Sequence, residues 1–130
     1  MPAETVEIRN GSYCCVLILD RIDQWPTTQW AAIMRQMEKG GDINAEAVGF
    51  LAEWFPDAIR EAKEWRDEVY RTYKRDFRPF KKTPRAEWEE QKAINAILNE
   101  TLHTAKRRYK KLMAAHIHFL AAKASMKKEK

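Results

Sequence analysis

Residues 83–125 read TPRAEWEEQKAINAILNETLHTAKRRYKKLMAAHIHFLAAKAS, and neither glycine nor proline occurs after Pro84. Thr83 suits a helix cap, Pro84 suits the first helical position, and Glu87 and Glu89 fall where the helix dipole favours acid. Ile94, Leu98, Leu102, Ala105, Tyr109, Leu112, Met113, His116 and Leu120 then recur without a change of phase. That periodicity predicts one helix of nearly 40 residues, about 60 Å long at 1.5 Å per residue. Typical helices have about 11–12 residues. The length is therefore taken up by a bend near Asn99 or by a portion that projects toward a partner.

Upstream, the same period continues. Ile59, Ala62, Val69, Tyr70, Tyr73 and Phe77 share one side of a helix that should begin at Pro56 and end at about Phe77. Pro79 forces its predecessor out of helical geometry, so residues 78–82 read as a turn. Before Pro56, Asp42 can cap a short helix carrying Ala47, Val48, Phe50, Leu51, Trp54 and Phe55. Residues 27–38 place Trp30, Ile33, Met34 and Met37 on one face, and Gly40-Gly41 ends that run. The first section supports two readings. Val6 and Ile8 alternate with polar residues before Asn10-Gly11, a strong hairpin signal. Cys15, Ile18, Leu19, Ile22 and Trp25 also follow helical spacing, with Ser12 as the cap. The hairpin is preferred, so the expected fold is mainly α: a small helical bundle with a long C-terminal helix and a short hairpin within residues 5–19.

A length of 130 residues fits one domain, spanning 1–130, with residues 127–130 frayed. Hydrophobic residues make up 45% and charged residues 33%, a balance that favours folding over disorder. The longest apolar run, Tyr13 to Leu19, is far short of the roughly 20 residues of a membrane span, so no integral insertion is expected. Glu4 and Glu7 precede the first basic residue, Arg9, the wrong order for a secretory signal. Cys14 and Cys15 are adjacent, which disfavours a disulfide framework and reads as a pair of small buried hydrophobes. A cytoplasmic setting is the expectation.

Charge is distributed unevenly. Residues 1–65 hold 6 Lys/Arg against 11 Asp/Glu, whereas residues 66–130 hold 18 against 8. A basic half of this kind draws in phosphates or acidic surfaces. Two clusters concentrate it. Residues 70–82 interleave Tyr70, Tyr73, Phe77 and Phe80 with Arg71, Lys74, Arg75, Arg78, Lys81 and Lys82, and Phe80 in the turn is the ring most readily exposed. Residues 106–111 supply Arg107, Lys110 and Lys111, which project away from the apolar stripe. On antiparallel neighbouring helices the two clusters would form one strip able to track a phosphate backbone or to meet an acidic protein.

Other chemistry has little support. His116 and His118 point about 200° apart on a helix, so they do not converge on a metal, and His103 lies elsewhere. The chain has no Walker loop, nucleophile elbow or glycine-rich cradle, and Asp20 with Asp23 is the one carboxylate pair near an apolar run. The reading is a non-enzymatic binding protein without cofactor or metal, contacting nucleic acid or a nucleoprotein complex. An accessory factor of a phage or mobile element, including an inhibitor of a host nuclease complex, fits that description, although no residue carries the origin. The alternative is a protein–protein module, such as a homodimer paired through the C-terminal helix.

Overall fold

The computed structural model describes residues 4–126 and is 76% helical. Strands β1 (Thr5–Asn10) and β2 (Tyr13–Ile18) form a two-stranded antiparallel sheet, followed by α1 (Thr27–Lys39), α2 (Ala45–Asp76) and α3 (Trp88–Ala124). Short 3-10 turns occupy Leu19–Gln24, Phe80–Lys82 and Arg85–Glu87. The tail 127–130, expected to fray, lies outside the described residues. The chain divides into two compact units, Met1–Ala58 with Lys111–Lys130 and Ile59–Lys110.

In the first unit the hairpin is present, and of the helical alternative for residues 13–25 only the 3-10 stretch Leu19–Gln24 remains. Asn10 pairs with Tyr13, so the loop is Gly11-Ser12 rather than Asn10-Gly11. Gly11 has φ +61°, and among the described residues no other residue type has positive φ. Glycine at the first loop position is what a type II′ hairpin requires. Asn10 is thereby released from the turn. Its Nδ2 donates to the carbonyls of Gln36 and Gly40, and its Oδ1 accepts from the Asp42 N–H. Asp42 is therefore not the helix cap. The chain enters α2 through Asn44, whose carbonyl accepts from Ala47 N–H. The Asn44 side chain clamps β1, accepting from Arg9 N–H and donating to the Glu7 carbonyl.

Strand alternation directs Val6, Ile8 and Leu17 inward, where they are buried, as are Ile22, Ile33, Met37, Leu51, Leu112 and Phe119. Phe55 is fully buried and contacts Trp30, His116 and Phe119, with ring centroids 6.0, 5.1 and 5.4 Å away. The same alternation turns Cys14 outward and leaves Cys15 half-buried, correcting the expectation that both are core residues. Both thiols are free.

Pro56 does not start a new helix. It lies inside α2, which runs unbroken from Ala45 to Asp76. An interior proline costs about 3 kcal/mol because it removes one backbone bond and crowds the preceding turn. Leu51, Phe55, Ala58 and Ala62 are nevertheless all buried at helical spacing across it. Packing on both sides holds the helix together. On α3, Met113 and Leu120 were expected on the buried stripe, yet they are 37% and 50% exposed. The buried line is Leu112, Ala115, Phe119 and Ala122, which shifts the inward arc toward small alanines and a phenylalanine.

The second unit holds the remainder of α2, the connection, and the first part of α3. Thr83 does not cap a helix. Its hydroxyl donates to the Pro79 carbonyl, a 3-10 turn follows, and α3 starts at Trp88. The connection is tied down from α3. Asn95 accepts from Arg78 N–H and donates to the Arg78 carbonyl, and Gln91 donates to the Asp76 carbonyl. Gln91 is buried, so these bonds replace water that the connection would otherwise need. Within this unit Ala62, Leu102 and Ala105 are buried, while Trp65, Tyr70, Phe80, Trp88 and Ile97 are exposed.

Candidate nucleic-acid interface

Contacts inside the second unit set the register of its two helices. Arg66 meets Tyr109 and Asp76 meets Gln91, so residue numbers rise on α2 as they fall on α3, while Arg78, beyond the end of α2, meets Asn95. The helices are antiparallel, as the strip requires. In that register, however, Lys106–Lys110 lies across from Arg66–Tyr70, and the Arg71–Arg78 cluster lies across from the stretch near Asn95–Thr104. The two basic clusters are staggered along the hairpin rather than abreast.

Arg71, Lys74, Arg75, Arg78, Phe80, Lys81, Lys82, Arg107 and Lys110 are all exposed, and Phe80 is 48% accessible. Arg75 has a local partner, with Nε and Nη2 donating to the two Asp76 carboxylate oxygens at 2.9 and 3.1 Å. That bonding holds the Asp76 carboxyl below the usual carboxylate range. Lys74 Nζ stands 5.4 Å from the centre of the Tyr70 ring. Tyr73 and Phe77 are half-buried and stack on each other at 4.8 Å. Lys111 belongs to the first unit, where it is half-buried and borders a different cleft.

Where the register brings α2 and α3 together, a cleft of about 510 Å³ is lined by Arg66, Asp67 and Tyr70 from α2 and by Lys106, Tyr109 and Lys110 from α3. Arg66 is central to it. The guanidinium carbon sits 4.4 Å above the Tyr109 ring centre, and the same group donates to Asp67 at 3.1 and 3.3 Å. Helical spacing aligns Arg66, Tyr70 and Lys74 at intervals of four, which puts two cations and an exposed ring on one ridge. Three cations face one carboxylate in the lining, so the cleft carries a net positive field. An anion with a planar group fits this chemistry, since the cations meet its charge and Tyr70 offers a face for stacking.

Arg66, Lys106 and Tyr109 were not among the residues singled out from the sequence. Tyr109 reads as core by periodicity. The signal that would have found Arg66 is its place four residues before Tyr70 and eight before Lys74.

Among the described residues, no group of three His, Cys, Asp or Glu side chains could hold a metal ion. His116 is stacked on Phe55 instead, and burial lowers its pKa. No described helix is long and apolar enough to cross a membrane. Comparison with family models, with curated proteins and with solved structures finds no match.

Proposed function

We propose that the helical hairpin of residues 59–110 binds the phosphate backbone of nucleic acid, alone or within a nucleoprotein complex, without reading sequence. The observation that carries this reading is the cleft that Arg66, Lys106 and Lys110 line together with the exposed ring of Tyr70. The exposed cations Arg71, Lys74, Lys81 and Lys82 extend the basic surface along the chain. Backbone charge attracts such a surface regardless of base identity. A ring beside the cations adds about 1–3 kcal/mol per stacked base and favours unpaired strands.

Fluorescence anisotropy with labelled single-stranded and duplex probes of unrelated sequence, at two salt concentrations, tests the proposal. Binding should weaken with salt by about 0.9 log units per log unit of salt for each duplex phosphate contact. The triple change Arg66→Ala, Lys106→Ala, Lys110→Ala should reduce affinity equally for all sequences. Tyr70→Ala should cost single strands more than duplex. If the unaltered protein binds no probe at low salt, the reading fails.

A second reading rests on a separate observation. Met113, Ile117 and Leu120 form an exposed apolar row on α3 at helical spacing, as expected of a helix that pairs with another protein or with its own copy. Light scattering at several concentrations, with Ile117→Asp as the disrupting variant, distinguishes a self-associating module from a monomer.

A further inference from the structure

The two outer edges of the N-terminal hairpin differ. A two-residue loop makes Asn10 and Tyr13 a hydrogen-bonded pair, so Tyr13, Cys15 and Leu17 bond to β1. Cys14, Val16 and Ile18 therefore turn their N–H and C=O groups outward. By the same alternation Glu7 and Arg9 face outward on β1, and there Asn44 meets the Arg9 N–H and C=O and the Glu7 C=O. That edge is closed. On β2 the Ile18 carbonyl accepts from Trp25 Nε1 at 2.9 Å. Among the described residues, no partner meets the N–H or C=O of Cys14 or Val16.

The open stretch is exposed and unguarded. Cys14 is exposed, and Val16 is 54% exposed. A surface groove of about 170 Å³ is lined by Val16 and Ile18 from the outer face of β2, by Leu17 from its inner face, and by Gln29. Solvent rather than another element therefore adjoins the strand there. β2 reads YCCVLI, with no charge and no proline, the devices that usually keep an edge from pairing.

We propose that β2 pairs antiparallel with β2 of a second copy of this chain, about a two-fold axis at Cys15, to give a four-stranded sheet. Each copy offers two donors and two acceptors, on Cys14 and Val16. The register with Cys14 opposite Val16 of the second copy matches all of them in four bonds. A copy's strand also brings no charge that an apolar edge would leave unpaired. Because Asn44 closes the β1 edge, addition stops at two chains rather than continuing as a fibre. The pairing uses no residue of the basic hairpin or of the apolar row on α3, so it stands apart from both readings above.

Light scattering of the full chain over a range of concentrations should show a reversible monomer–dimer equilibrium, weak because two short strands make a small contact. Val16→Pro removes an outward N–H without breaking a bond to β1, so it should keep the folded circular dichroism spectrum and abolish the dimer. Ile117→Asp should leave the dimer unchanged. The register is read by cross-linking with diamide, which takes up the two electrons and two protons of a thiol pair. The facing Cys15 side chains lie on one side of the joined sheet, with Cα atoms about 4.5 Å apart, within the span of a disulfide. Cys14 meets its counterpart on the diagonal, at about 7–8 Å, outside that span. Cys14→Ser should therefore cross-link faster than Cys15→Ser, although Cys14 is the more exposed thiol. A chain that is monomeric at every concentration overturns the proposal and leaves the edge to a strand of another protein. It is equally overturned if the dimer survives in folded Val16→Pro or is lost in Ile117→Asp, or if Cys15→Ser cross-links at least as fast as Cys14→Ser.

Discussion

The side-chain amide of Asn10, at the end of the first strand, donates to the main-chain carbonyl of Gly40 at 3.0 Å. Gly40 follows α1 with φ +65°, a backbone conformation that leaves its carbonyl turned away from the helix ladder. One asparagine therefore joins the hairpin to the end of a helix thirty residues later. Its Oδ1 at the same time accepts from Asp42 N–H at 3.1 Å.

Replacing Asn10 with alanine removes the side-chain partner of the Gly40 and Gln36 carbonyls and of the exposed Asp42 N–H, and leaves the Gly40 carbonyl its bond from Ile43 N–H. The expected loss is about 1 kcal/mol, the ordinary net contribution of such bonds. Urea unfolding measures it. Asn10→Asp should also destabilise, because it keeps the acceptor and loses the donor. A variant as stable as the parent would show that water replaces these bonds.

His116 should make stability fall on acidification. Burial against Phe55 lowers its pKa below the ordinary value of about 6.5, so the unfolded chain takes up a proton before the folded one does. Stability is therefore complete above about pH 6.5 and declines as pH falls toward the lowered folded value. His116→Leu should flatten the profile between about pH 7.5 and 5.5, above the range where carboxylates titrate. Parallel profiles for the two proteins would contradict this.

Cys14 should react slowly with alkylating reagents despite its exposure. Its thiol donates to Glu7 Oε1 at 3.2 Å, and that bond raises its pKa, leaving less thiolate. In a Cys15→Ser background, Glu7→Gln should accelerate iodoacetamide labelling at mildly alkaline pH. It removes the carboxylate and leaves Arg9, which favours the thiolate. An unchanged rate would mean that the bond does not persist in solution.

The contact between Arg66 and Tyr109 should be measurable as a coupling. With the guanidinium 4.4 Å from the ring centre, a double-mutant cycle of Arg66→Ala and Tyr109→Leu should give about 0.5–1 kcal/mol. Additive effects would show that the two side chains move independently and that the cleft is not preformed.

Much of this protein follows from local pattern. The 3.6-residue recurrence of apolar side chains marks α1, α2 and α3, because amphipathic spacing is a property of neighbouring residues alone. Alternation at Val6 and Ile8, with glycine nearby, marks the hairpin for the same reason. The basic half and the two cationic clusters are also present in the bare sequence. Partners distant along the chain decided the rest. Pro56 remains within α2 because Phe55 and Ala58 are buried on either side of it. Met113 and Leu120 face outward because Leu112, Ala115 and Phe119 take the inward arc. Periodicity gives the spacing of a stripe, but which arc is buried depends on what packs against it. Asn10 bonds to residues 26 to 32 positions away, and Arg66 finds Tyr109 only in the register that the hairpin adopts. Such contacts have no local signature. Sequence determined the helices, the hairpin and the charge, and tertiary structure decided which side chains share a cleft, because proximity there is set by packing rather than by spacing along the chain.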